Sequence, residues 1–494
     1  MIKRYYNFLI ISGLVLVFTS CNKYLDQNPD MRTEIDNVDK VAQLIGTAYP
    51  SYNYLAMAEH SSDNVSDKGV AIGTNDSPYS EYYYWEDVIG SGNNTPTQYW
   101  NTCYAAIAAA NHALDAIEKN NLGNEVRPYK GEALVARAYA HFMLALFFAQ
   151  PYEIDGANDS PGIPYIDRPE TVALAQYERG TVKETYDKIR ADLEEGLPML
   201  AGGVWKVPKY HFNTSSASAF ASRFYLFTGE FQKALSSANN VFGNGDYTNK
   251  IRQVNSVLRL MTSAEYLLEM TKPDKDFNLL IRETYSVYQR QTGASVYQRF
   301  GYGQKKYNEF FATEIFPGTM MYTKGLSYSS GQHYTSYMWN EYFHITNIQA
   351  GTGFPYIMQP ILTSDEALFN RAEAYAQLGN DAKALEDINH LLSQRVNNYN
   401  DATHSLTLDK AHAAAGTTDT KAALIHIILK MKQRAFVTEG VRWMDIVRHR
   451  LPVVHVVLDE NDEETEMVLE SNDLRRVFQI PSEASLAGVS QNPR

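Results

Sequence analysis

The side chains best suited to chemistry in this chain are aromatic rings set among polar groups. Tyr79-Ser80-Glu81-Tyr82-Tyr83-Tyr84-Trp85 lies in a loop, Glu59 to Asn94, that also holds Asp63 and Asn64. A second stretch, Ser286 to Phe354, is rich in Tyr, Gly, Gln and Ser and contains Tyr302 and Tyr337-Met338-Trp339-Asn340-Glu341-Tyr342. A sugar ring offers C–H groups on its faces and hydroxyls around its edge. Aromatic rings cover the faces, and Asn, Gln, Asp or Arg side chains hydrogen-bond the edge. The candidate saccharide-binding residues are therefore Tyr82, Tyr84 and Trp85 with Asp63 and Asn64 from the first loop, and Tyr302 and Trp339 from the second. Two or three rings at about 1 kcal/mol each, set against the cost of association, predict dissociation constants from about micromolar to about millimolar. The competing account of these rings is that they pack the loops.

Other chemistries are absent or weakly signalled. The chain has no HExxH, GxSxG, P-loop or CxxC motif, so no catalytic residue, metal site or cofactor is expected. Its 57 acidic residues leave a paired-carboxylate hydrolase open, because that pair is defined by spatial separation. Asp459-Glu460-Asn461-Asp462-Glu463-Glu464 lacks the glycine and twelve-residue order of a calcium loop and reads as a solvated hairpin tip between Val453–Leu458 and Met467–Leu469. With 44 basic against 57 acidic residues, a net charge of −13 argues against nucleic acid as a partner. The cysteines are Cys21 and Cys103, too few for a disulfide framework.

The N-terminus supplies an address. Lys3 and Arg4 precede an apolar run, Phe8 to Phe18, that is too short to span a membrane, and Phe18-Thr19-Ser20-Cys21 follows. Residues 1–20 read as a secretory signal. Small residues directly before a cysteine resemble a bacterial lipoprotein cleavage box, which would make Cys21 the lipidated first residue of the mature chain. Several acyl chains on one cysteine hold a protein firmly at a membrane, where a single chain binds marginally. The other reading is an ordinary signal peptide that leaves Cys21 as a free thiol.

The elements that must position the loops are mostly helical. Ile361 to Arg395 reads as two amphipathic helices broken at Gly379-Asn380-Asp381. An upstream copy, Asn213 to Phe242, repeats Tyr225, Gly229, Lys233, Ala234, Leu235 and Asn239 as Tyr375, Gly379, Lys383, Ala384, Leu385 and Asn389. The pattern Y-x3-G-x4-A-L resembles a tetratricopeptide repeat, in which such hairpins stack on one another to bury their apolar stripes. Further helices are expected over Val38–Tyr49, Gln98–Glu118, Lys130–Gln150, a capped segment opening at Thr181-Val182-Lys183-Glu184, and Lys421–Arg450. Within Ala264–Thr271, EYLLEMT reads as a short strand. The fold class is mainly α, a helical-repeat scaffold with long loop-rich insertions and minor β. Residues 21–494 are expected to form one unit, with an N-terminal part 21–210, a C-terminal part 211–494, and 286–354 as a Tyr-rich insertion.

Six matches, in order along the chain, carry a family resemblance. They are Cys21-x-Lys23-Tyr24-Leu25-Asp26; Trp100-x3-Tyr104-x2-Ile107-x3-Asn111; Gly162-Ile163-Pro164-Tyr165 with Arg179-x-Thr181-Val182-x3-Tyr186-x2-Ile189-x2-Asp192-Leu193; Arg371-Ala372-Glu373-Ala374-Tyr375-x3-Gly379; Arg434-x4-Glu439-Gly440-x-Arg442-Trp443-x-Asp445; and Ile480-Pro481 before Gln491-Asn492-Pro493. Together they resemble the SusD/RagB family of surface glycan-binding lipoproteins of Bacteroidetes, departing from its usual ending at the terminus. The resemblance implies a non-catalytic receptor on the outer membrane that passes an oligosaccharide, or another nutrient, to a SusC-like TonB-dependent barrel, with glycan contacts in the two loop regions. A lipid-anchored hydrolase and a helical assembly scaffold stay open beside it. Glu439 with Arg442 and Asp445 with Arg448 are three apart on a helix, which suits local ion pairs above a packed Trp443.

Overall fold

The structure, a computed structural model, describes residues 35–494 apart from 173–174, 244–246, 248, 289–297, 325–327, 331–332 and 336–337. The signal segment, Cys21 and Tyr337 therefore lie outside the described residues. The main hydrophobic cluster runs from Ala48 to Val489, with smaller clusters such as Val65, Tyr83 and Phe300 beside it.

Helices dominate, as the apolar spacing predicts. Arg127–Phe148 is buried on every side from Gly131 onward, which is why EALVARAYAHFMLALFF is apolar all round. The span Asn124–Phe148 is long and apolar enough to cross a membrane, yet its apolar stretch is buried inside the fold as the core helix. Pro96–Asn120 and Val182–Gly196 pack against it. Cys103, on the former, is fully buried. Thr181 opens the latter with the expected capping box: its hydroxyl accepts from Glu184 N at 3.1 Å and Glu184 accepts from Thr181 N at 2.8 Å.

The two similar hairpins are Thr214–Phe227 with Phe231–Phe242, and Ser364–Gln377 with Asp381–Ser393. Their turns are built alike. Gly229 and Gly379 stand at φ +75° and +73°, and the next residue donates its N–H to the repeat tyrosine's carbonyl, Glu230 to Tyr225 and Asn380 to Tyr375, at 2.9 Å each. Phe231–Phe242 packs against Ser364–Gln377, so one hairpin covers the other.

The motif residues that the structure describes make contacts that hold the fold together. Arg179 donates to Gly162 O at 2.7 Å and to Asn492 Oδ1 at 2.6 Å, which stitches the C-terminal segment to the body. Asn111 accepts from Arg137 at 2.8 Å, and Arg371 pairs with Asp387 at 2.6 Å. Asp445 meets Arg448 at 3.1 Å, as spacing predicts, with Lys432 at 2.9 Å on the same carboxylate. Glu439 and Arg442 do not pair with each other. Glu439 takes Arg252 at 2.6 Å and Arg442 takes Asp63 at 2.8 Å, because both side chains are buried against distant elements that bring the partners. Trp443 is buried as expected.

Three loop or strand expectations need correction. EYLLEMT lies mostly in a helix, Ser263–Glu269, set by a capping box in which Thr262 accepts from Glu265 N at 3.3 Å; a short apolar run alone does not separate strand from helix. The segment Glu59–Asn94 contains the end of a helix, Leu55–His60, and all of another, Tyr79–Tyr84. The stretch 286–354 is not structureless: it includes the helix Gln304–Phe311 and the strand Glu341–Asn347. That strand joins an antiparallel sheet in the order Asn278–Tyr285, Thr352–Thr363, Glu341–Asn347. Arg282 pins the sheet's inner face to the helical body, lying 3.9 Å over the Tyr49 ring and donating to Tyr210 O at 2.6 Å and Gly46 O at 2.9 Å. The acidic run forms the tip of the hairpin Val453–Leu458 and Glu464–Leu469, where Asp459 accepts from Asn461 N at 2.7 Å and Glu463 N at 2.8 Å.

Candidate functional site

Side chains alternate across the three-stranded sheet. On the middle strand Pro355, Ile357 and Gln359 are buried, while Phe354, Tyr356 and Met358 face outward. Register then decides which rings meet. Tyr356 stands opposite Tyr285 on one side and opposite Tyr342 on the other, so three tyrosines form one row across the outer face. Tyr342 and Tyr356 have centroids 6.1 Å apart and planes 26° from parallel, and Tyr285 meets Tyr356 edge-on at 5.9 Å. Phe354, 48 % exposed, extends the row at 5.7 Å from Tyr285, and Tyr52 closes it from the helical body at 4.9 Å.

Polar groups border these rings. Asn93 Nδ2 donates to the Tyr285 hydroxyl at 3.0 Å. The Tyr342 hydroxyl donates to Glu283, whose carboxylate is exposed on the same face. Burial, with the Glu283 carboxylate beside it, raises the Tyr342 phenol well above its ordinary value, and burial also raises that of Tyr52. The Tyr342 and Tyr52 hydroxyls therefore stay protonated at neutral pH and can donate. Partly exposed rings with hydroxyl, amide and carboxylate groups at their edges match what a saccharide face and edge require.

The residues singled out from sequence lie elsewhere. Trp85 is 6 % exposed; its indole donates to Ser61 O at 3.0 Å and stacks on His455 at 4.4 Å, holding a left-handed backbone turn at φ 53°. Trp339 is 1 % exposed in the main core. Tyr82 is buried and donates to Asn94 O at 2.6 Å. Asn64 is buried between Glu59 at 2.9 Å and Gln433 at 3.2 Å. Asp63 is held by both nitrogens of the Arg442 fork at 2.8 Å. Tyr302 packs on Phe310, and Tyr84, half-buried, stands edge-on to Phe300 at 5.4 Å. Neither tryptophan offers a face to a ligand in this structure. Both rings instead fill the core, where a large ring gains most from leaving water.

Residues 23–226 match the SusD-like family described as "Starch-binding associating with outer membrane", and residues 274–486 match the SusD/RagB family, described as "SusD family". The chain belongs to the SusD family. A SusD superfamily protein from Bacteroides thetaiotaomicron has the same fold, with 21% identity, a TM-score of 0.65, and coverage of 93% of this chain and 100% of that one. A SusD-like carbohydrate binding protein from Bacteroides vulgatus aligns with a TM-score of 0.60 at 16% identity, over 91% of this chain and 96% of that one. A SusD-like protein, P2, from Formosa agariphila is 28% identical over 164 residues, which are 32% of this chain and 29% of that protein's own length.

Within this SusD-family chain the tyrosine row is a candidate site that sequence reasoning missed. Tyr342 stands in a noted stretch, but Tyr285 and Tyr356 do not. The usable signal was the period-two alternation Phe354-x-Tyr356-x-Met358. Pro355 and Pro360 disguise it, since proline within a run argues against a central strand.

Proposed function

We propose that this SusD-family protein is a non-catalytic surface receptor that captures an oligosaccharide on the row Tyr285, Tyr356 and Tyr342 and hands it to a SusC-like TonB-dependent barrel in the outer membrane. In this reading residues 1–20 are a lipoprotein signal, lipid on Cys21 anchors the chain facing outward, and residues 21–494 act as one unit. The observation that carries the binding step is the cross-strand register that lines three partly exposed tyrosines on one sheet face beside Glu283 and Asn93. The family description, starch-binding and associating with the outer membrane, supports the ligand class and the address. Weak capture suits delivery, because cargo bound too tightly would not leave for the transporter.

The test is a glycan screen followed by calorimetry on the saccharide it selects. Tyr356→Ala is expected to weaken binding by roughly 1 to 3 kcal/mol, the size of ring-stacking truncations with nucleobases, with helical content unchanged. Wild-type affinity in Tyr356→Ala and Tyr342→Ala would refute the site, and no saccharide bound by the wild type would refute the receptor. Release of shortened products would favour a hydrolase.

A further inference from the structure

A separate cleft of about 750 Å³ opens beside the acidic hairpin, lined by residues that include Lys68, Gln304, Asn308, Glu460 and Asp462. Two charged neighbours in its wall differ in their partners. Asp67 is saturated: Arg299 grips both its oxygens at 2.8 and 2.6 Å, and Gly69 N and Leu458 N donate at 2.9 and 2.8 Å. Lys68 is only 8 % exposed, and its ammonium has no hydrogen-bond or ion-pair partner among the described residues. Nζ lies 3.7 Å from where a Cβ on Gly301 would stand, so the absence of a side chain there keeps the space beside the amine open.

A buried, unpaired ammonium is costly to a fold, and its cost falls when an anion completes the pair. Burial pushes the Lys68 amine down to about 8, against the pull of Asp67, so it remains mainly charged at neutral pH. The rim has a different character. Lys305 is already paired with Glu464 at 2.9 Å, Gln304 and Asn308 present amides, and Glu460 and Asp462 present exposed carboxylates. Such a rim suits hydroxyls and repels a ligand of high negative charge density. One cation inside, amides and carboxylates outside: the complementary ligand is polyhydroxylated and carries a single negative group.

Resting on the glycan-receptor reading, we propose that this cleft binds a sugar residue bearing one anionic substituent, a carboxylate or a sulfate ester, with the anion on Lys68 and hydroxyls on Gln304, Asn308 and Asp462. The probes are a galacturonic acid trisaccharide, a galactose trisaccharide sulfated on one residue, and the unmodified galactose trisaccharide, titrated into the full chain in detergent. At least one anionic probe is expected to bind tenfold or more tightly than the neutral one, and which one does so identifies the substituent. Lys68→Met should erase that preference while sparing neutral binding, and Lys68→Arg should retain most of it. Equal affinity for neutral and anionic probes, or an unchanged preference in Lys68→Met, overturns this inference and leaves the receptor reading intact. Failure of all three probes overturns this inference alone if the glycan screen finds another saccharide, and both readings if it finds none.

Discussion

Exposure separates rings that a ligand can reach from rings that fold the chain. Tyr356 and Trp85 are both aromatic and both sit among polar groups, yet one is partly exposed on a sheet and the other is sealed under His455. Trp85→Ala should therefore cost about 3 to 5 kcal/mol of stability, as buried large-to-small changes do, whereas Tyr356→Ala should cost binding and little stability. Urea unfolding of the two variants checks the contrast, and equal midpoints would contradict it. Glu59 makes a second prediction at this scale. It is 1 % exposed, accepts from Asn64 Nδ2 at 2.9 Å and Gly440 N at 2.6 Å, and burial raises its carboxyl to about 7 despite those bonds. A carboxyl raised on folding binds a proton in the native state where the unfolded chain has lost it. Its contribution is complete below the ordinary value of 4.5 and falls as pH rises through about 7, by roughly 3 kcal/mol in all. His60 and His455, pushed down by burial to about 3 and about 4, titrate in the opposite sense. Comparing wild type with Glu59→Gln cancels them: the stability difference between the two proteins should shift in favour of Glu59→Gln between pH 5 and pH 8. A difference independent of pH would show that Glu59 does not titrate in this range.

At the scale of elements, the hairpin turns are the clearest case of sequence dictating backbone. Gly379 has φ +73° and no atom within 4 Å of a built Cβ, so a substitution there meets backbone strain and nothing else. Gly379→Ala is expected to lower stability by about 1 to 2 kcal/mol, and Gly379→Asn by less, because asparagine tolerates the left-handed region. Gly229, at φ +75°, adds a clash with Ile154 at 2.7 Å, so Gly229→Ala should lose more than Gly379→Ala. Thermal melts of the three variants decide the order. The sheet was harder to read than the hairpins. Its strands are far apart in sequence, Asn278–Tyr285 against Thr352–Thr363, and pairing of that range leaves no local period that joins them.

At the scale of the whole molecule, the address and the body make separate predictions. Cys21→Ser should move the protein from the membrane fraction to the soluble one, read by fractionation and immunoblot; an unchanged distribution would remove the lipid anchor from the proposal. The sequence by itself determined the helical architecture, the capping box at Thr181, the two Gly-centred hairpins and the family, because each of these rests on residues close together in the chain or on their order along it. Only the tertiary structure decided which rings face water. Trp85 and Trp339 belong to the core, while Tyr285, Tyr342 and Tyr356 are brought side by side by strand register. The same holds for charge: Glu439 and Arg442 look like partners at helical spacing, but Arg252 and Asp63 reach them from distant segments. The reason is physical. Helix periodicity and turn chemistry are local, but burial of a given ring or charge depends on what the rest of the chain lays over it, and that is set by long-range packing.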